Sequence, residues 1–243
     1  MPLMRLVFLH GVGGGHAAWD DQVAYFSVRG YRCTAWDQPG YGGTPAPNPY
    51  TLEAVTEALR KEIGTEPAVL VGHSMGGFVA QETYARFPQL VRALVLCFTS
   101  PSFGGDPRFA RQFIADRLGL LDKGKNMVDL AQELMPSMRG RRSDPRGLAK
   151  AQRITSSVSE ATYRKAVQLL TTFDRRDNLA KIAVPTLLVA GSDDRVAPPK
   201  VMQSMAQGIR QSEIVVLDGC GHLGPMDQPD LFNATLEPFL KKI

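Results

Sequence analysis

The stretch Ala68-Val69-Leu70-Val71-Gly72-His73-Ser74-Met75-Gly76-Gly77 reads as a short strand that runs into a sharp turn and leaves it as a helix. Residues 68–71 have the length and aliphatic content of a strand buried on both faces. Helical spacing then continues over 75–87. Gly72 and Gly76 stand two residues either side of Ser74, where so tight a turn leaves no room for a Cβ. A serine there projects above the sheet edge at a helix N-terminus, whose positive end favours negative charge. Gly-x-Ser-x-Gly alone is a common pattern, and its weight here comes from the strand before it and the helix after it.

Working outward, five more apolar runs ending in Gly, Pro or Asp repeat the strand pattern, so the set is 3–9, 31–37, 67–71, 91–98, 184–190 and 213–217. Helix-like segments at 17–28, 52–63 and 75–87 join the first four, one at 200–208 joins the last two, and one at 231–241 closes the chain. This alternation predicts an α/β fold with a mostly parallel six-stranded sheet flanked by helices, and ligands beyond the C-terminal ends of the strands. From 100 to 183 the rhythm breaks: helical patterns at 108–118, 125–138 and 160–173 appear without a strand. The expectation is a helical cap, 100–183, inserted in a core made of 1–99 and 184–243.

A chain of 243 residues fits one α/β domain, and 44% hydrophobic with 21% charged residues excludes disordered, collagen-like and coiled-coil classes. The net charge of +4 is uneven: residues 100–183 hold 16 Lys and Arg against 9 Asp and Glu, a net +7, so the rest is net −3. The densest basic group, Arg139, Arg141, Arg142, Arg146, Lys150 and Arg153, reads either as a solvated face or as a mouth attracting an anionic substrate. It carries no interleaved aromatics, so no nucleic-acid partner is expected. Three widely spaced cysteines (Cys33, Cys97, Cys220) support neither a disulfide framework nor a metal site. The first nine residues lack the features of a signal peptide, and no window approaches the roughly 18 apolar residues of a membrane span. A cytoplasmic protein with no membrane partner is therefore expected.

A serine hydroxyl is a poor nucleophile near neutral pH, so a histidine must take its proton and a carboxylate must orient that histidine. His10 and His73 lie inside Gly-rich turns and His16 just beyond the first, whereas His222, in Gly219-Cys220-Gly221-His222, follows the last strand and is placed to reach Ser74. In Gly191-Ser192-Asp193-Asp194-Arg195-Val196-Ala197-Pro198, either aspartate serves as the acid.

With these residues the chain resembles the α/β-hydrolases, specifically cofactor-free, helical-capped, serine-nucleophile esterases and lactonases such as enol-lactonases and haloperoxidase-like esterases. Four motifs carry the resemblance: His10-Gly11 after the first strand, Asp37-Gln38-Pro39-Gly40-Tyr41-Gly42 after the second, the Ser74 turn, and Gly191-x-x-Asp194-x-x-x-Pro198 with Gly221-His222. It implies Asp194 as the acid, leaving Asp193 to pair with Arg195 or cap a turn. The chain order Ser74, Asp194, His222 is the one this architecture uses. An oxyanion hole is expected from the backbone N–H of Met75 and, by resemblance, of Val12. His10, the Gly13-Gly14-Gly15 run and the Asp37 turn are read as architectural, and Trp19 and Trp36 as core. Such hydrolases commonly open with a two-stranded hairpin that this chain lacks, which leaves an edge strand open to a second subunit in a homodimer.

Serine at the turn argues against dehalogenase and epoxide-hydrolase chemistry, which use a carboxylate there. The resemblance implies hydrolysis of a small-molecule carboxylic ester or lactone with no cofactor and no metal. Carbon–carbon hydrolysis of ring-cleavage products is the alternative, although His73 and Leu223 stand where that class shows Asn and Trp. Haloperoxidase-like turnover is a further side reaction of such a site, and a hydrolase-fold ligand receptor is the non-enzymatic reading. The pocket is expected under the cap, with Phe103, Phe109, Phe113, Leu134, Met135 and Met138 available as apolar walls or as plain cap core.

Overall fold

The computed structural model describes residues 3–103 and 107–243. Residues 1–2, at the start of the expected core, and 104–106, in the expected insertion, lie outside the described residues. The strands are β1 (Arg5–Leu9), β2 (Arg32–Trp36), β3 (Ala68–His73), β4 (Val91–Cys97), β5 (Thr186–Gly191) and β6 (Ser212–Leu217). They form one sheet in the order β2-β1-β3-β4-β5-β6, and every pairing is parallel. β1 is interior, and among the described residues the sheet edges are β2 and β6.

Side chains alternate across a strand, so β1 feeds two separate cores. Leu6 and Phe8 pack with Trp19, Phe26, Phe232 and Leu236, from the chain around α1 (Asp20–Ser27) and from α10 (Pro229–Lys242). Val7 and Leu9 pack on the other face with Leu59 of α2 (Leu52–Ile63), Val79 of α3 (Met75–Arg86) and Met202 of α8 (Pro199–Gln207). All six residues of β3 are buried. At about 1.5–3 kcal/mol per fully buried aliphatic side chain, this strand is held in the middle of the sheet and its C-terminal end is presented between two neighbours.

Between β4 and β5 lie α4 (Pro107–Asp122), α5 (Met127–Leu134), α6 (Pro145–Ser157) and α7 (Glu160–Leu170), with short 3-10 turns among them. The helix expected over 125–138 ends at Leu134, because Pro136 opens a 3-10 turn over Met135–Met138. The helix expected over 17–28 is likewise split: a 3-10 turn covers His16–Trp19, and Trp19 leaves the helical region before α1 begins.

Leu148 and Ile154, half-buried, recur at helical spacing along α6, but the residues it buries are the small Gly147, Ala151 and Thr155, one per turn, and the expected helices above do not include it. Asp144 caps it by accepting from the Arg146 N–H, and Pro145 occupies its first position. A Cβ on Gly147 would lie 2.3 Å from the Cα of Asp227, so the small stripe is what allows α6 to approach the short helix α9 (Gly224–Asp227) that follows His222.

Candidate active site

Ser74 joins β3 to α3 with φ 54° and ψ −117°, a left-handed conformation that L side chains rarely adopt. The turn is held by backbone bonds: the Ser74 N–H donates to the Cys97 carbonyl at 3.0 Å, and the Ser74 carbonyl accepts from the Gly77 N–H and the Thr99 hydroxyl, both at 2.9 Å. Such strain costs about 1–3 kcal/mol. Glycine relieves it but loses about 0.5–1 kcal/mol through unfolded-state entropy. Ser74→Gly is therefore expected to be about 1 kcal/mol more stable than Ser74→Ala, as read from urea midpoints; equal midpoints would mean that the turn stores no strain.

His222 sits on the loop after β6 and Asp194 on the loop after β5. Their side chains meet at 2.8 Å, His222 Nδ1 donating to Asp194 Oδ2, and both residues are buried. The other carboxylate oxygen, Oδ1, accepts from the N–H groups of Val196 at 2.8 Å and Ala197 at 3.0 Å. Burial pushes this carboxyl upward, but the His222 ring and the two N–H groups outweigh it and hold Asp194 below the ordinary aspartate range. The His222 main chain is pinned at both ends: its N–H donates to the Met138 carbonyl at 2.8 Å, and its carbonyl accepts from His73 Nε2 at 2.7 Å. With Nδ1 committed to Asp194, the Nε2 of His222 is the ring nitrogen left to accept a proton.

Asp193 points elsewhere. It takes the Arg141 N–H at 2.8 Å and the Arg141 guanidinium at 2.6 Å, so its partner is Arg141, between β4 and β5, and not Arg195.

The imidazoles of the two Gly-rich turns carry structural bonds. His10 Nδ1 donates to the Gly11 carbonyl at 2.8 Å, and its Nε2 accepts from the Gln38 N–H at 3.1 Å. Asp37 holds the neighbouring turn through the His16 N–H at 2.7 Å and the His16 ring at 2.6 Å. Burial pulls His10 down to about 4 and His73 down to about 3, so both are neutral in the fold at neutral pH. An unfolded histidine binds its proton near 6.5, so below that pH the unfolded chain takes up protons that the folded protein refuses. Stability is thus expected to be complete above pH 6.5 and to fall as the pH drops toward 4, by about 3 kcal/mol from His10 alone. Urea titrations from pH 7.5 to 4.5 check this, and a flat profile between 7 and 5 would contradict it.

Ser74, His222 and Val12 line one cavity at the C-terminal edge of the sheet. Met75, the first residue of α3, is buried beside Ser74 without lining it. Among the described residues neither the Val12 nor the Met75 N–H donates to another group. The far wall comes from the helical segment between β4 and β5, through Phe113, Leu134, Met135 and Met138. Phe103 and Phe109 take no part: they pack with each other at 5.4 Å, and Phe109 is exposed. The volume, about 90 Å³, is several times what one water occupies and suits a small molecule.

A family model described as "Alpha/beta hydrolase family" matches residues 6–235. The chain belongs to the alpha/beta hydrolase family. A pimeloyl-[acyl-carrier protein] methyl ester esterase of Aromatoleum aromaticum is 30% identical over 236 residues, 93% of each chain. Among solved structures, a thermophilic esterase from Thermogutta terrifontis with malate bound superposes with a TM-score of 0.87 at 26% identity, over 98% of this chain and 90% of that one. The enol-lactonase from Burkholderia xenovorans gives a TM-score of 0.84 at 25% identity, over 98% and 92%. The expectation of an enzyme of the ester-hydrolase type agrees with these names.

Two features of this alpha/beta hydrolase escaped the sequence reading. Phe98, at the end of β4, has a φ of 49°, an outlier for a bulky side chain, and its ring lies edge-on behind both His73 and His222, at 5.7 and 6.3 Å. Nothing in the local sequence marks it. Arg117 lines the cavity from α4, and here a trace existed: it stands one turn after Phe113, on the apolar side of the helix, where a charge is out of place. Among the described residues no helix is long and apolar enough to cross a membrane.

Proposed function

We propose that this alpha/beta hydrolase cleaves a small carboxylic ester or lactone through an acyl-enzyme. Ser74 attacks the carbonyl carbon as its proton passes to His222 Nε2, and Asp194 holds the ring in the donating tautomer and stabilises the imidazolium. The oxyanion is received by the N–H groups of Val12 and Met75, aided by the N-terminus of α3. His222 then returns the proton to the departing alkoxide, and water, deprotonated by the same ring, releases the acid and restores the serine. The helical segment between β4 and β5 acts as the cap that keeps bulk water from the site.

The observation that carries this reading is the buried 2.8 Å pairing of His222 with Asp194 beside the cavity that Ser74 opens into. The relatives named esterases and an enol-lactonase support the choice of substrate class.

The test is hydrolysis of p-nitrophenyl acetate, butyrate and octanoate together with a lactone panel, and labelling by a fluorophosphonate. Turnover favouring the shorter acyl chains, with the label on Ser74, is expected from so small a cavity. An unlabelled Ser74 in a folded, inert protein would move the assignment to a ligand-binding protein on this fold.

A further inference from the structure

Among the described residues that line the apolar cavity, one is a Lys or Arg. Arg117 reaches it from α4, half-buried, with its guanidinium 5.0 Å above the ring of Phe113. Other arginines of the insertion are matched: Arg141 with Asp193, Arg146 with Asp144, Arg164 with Asp122 and Arg176 with Asp174, each within 2.6 Å. Arg117 has no such partner among the described residues, and the carboxylate of its chain neighbour Asp116 accepts from Gln112 at 2.7 Å.

Tyr163 lines the same cavity from α7. It is buried, and its hydroxyl makes no hydrogen bond among the described residues. The two groups are close enough that each perturbs the other's ionisation. None of the six residues of the basic cluster lines the cavity, and four of them are spent on surface ion pairs, Lys150 with Asp21 among them. Electrostatic selection at this site therefore falls to Arg117.

A desolvated guanidinium without a counter-charge is unfavourable, and a ligand anion removes the penalty. Arginine presents a planar fork that matches a carboxylate, and the phenol adds one more donor. We propose that Arg117 and Tyr163 bind a carboxylate carried by the substrate away from its reacting carbonyl, so that the preferred substrates are monoesters or lactones of acids bearing a second carboxylate. The inference rests on the ester-hydrolase reading. The carboxylate belongs to the acyl part, because only there does it hold the substrate in register through both acylation and deacylation.

Monomethyl glutarate and monomethyl adipate, each against the neutral ester in which a carboxamide replaces the free carboxylate, test this. The expected wild-type ratio of kcat/KM is 10-fold or more in favour of the acid. It falls to near one in Arg117→Gln, recovers in part in Arg117→Lys, and is reduced in Tyr163→Phe. Because both substrates are measured on the same protein, the ratio is insensitive to how much of a variant folds. A wild-type ratio near one, or one that survives Arg117→Gln, overturns the proposal and leaves the hydrolase standing. Turnover of neither ester overturns it too, and fluorophosphonate labelling of Ser74 then tells whether the hydrolase reading falls with it.

Discussion

Ser74→Ala is expected to lower kcat/KM for p-nitrophenyl acetate by about 10⁴-fold or more, with the fold unchanged. Alanine accepts the same turn as serine, and the Ser74 side chain caps nothing, so its loss leaves no orphaned donor inside the protein. His222→Ala should cost a comparable factor. Asp194→Asn should cost about 10³- to 10⁴-fold, because an amide accepting from Val196 and Ala197 turns its NH₂ toward His222 and selects the wrong tautomer. Groups that act as one unit are not additive, so Ser74→Ala combined with His222→Ala should be no slower than either alone. Steady-state kinetics with circular dichroism on each variant check the set. Ser74→Ala retaining more than a tenth of the activity would remove the serine from the mechanism.

Gly76→Ala is expected to destabilise the protein by about 3 kcal/mol or more, at the top of the range for overpacking and a large share of the 5–15 kcal/mol that a domain has. The added Cβ would stand 2.0 Å from the Leu9 carbonyl oxygen and 2.5 Å from its carbon, and backbone at the end of β1 cannot swing aside as a side chain does. Any shift that relieves the clash moves the loop carrying His10 and Val12, so the surviving folded fraction should also turn over ester poorly. Gly119→Ala is the control: a Cβ there meets nothing within 4 Å, and in the last turn of α4 it should be neutral or add up to about 1 kcal/mol. A Gly76→Ala protein with the wild-type urea midpoint and full activity would mean that the turn is not as tight as the structure draws it.

The strand-turn-helix around Ser74, the six strands and the candidate residues on late strand-end loops were legible in the chain because each rests on a local rule. Two-face burial makes a strand a continuous apolar run, a crowded turn demands glycine, and the elbow serine lies two residues from each glycine. The chain by itself thus determined the fold class and put forward Ser74 and His222 as candidates.

What depended on long-range packing was not legible. Asp193 and Asp194 are adjacent and chemically alike, and in the chain only the family resemblance pointed to Asp194. Only the folding of the β5 loop against the β6 loop sends Asp194 to His222 and Asp193 to Arg141. The close approach of helix α6 was not legible either, because the face it buries is made of Gly147, Ala151 and Thr155, small residues whose role shows only against α9. Three of the five conspicuous arginines, Arg141, Arg142 and Arg146, turned out to be paired on the surface and none of the five lines the cavity, which the inconspicuous Arg117 reaches. Local backbone chemistry is written in neighbouring residues, whereas the electrostatics of a pocket depends on which charges find partners, and that is settled only when distant segments meet.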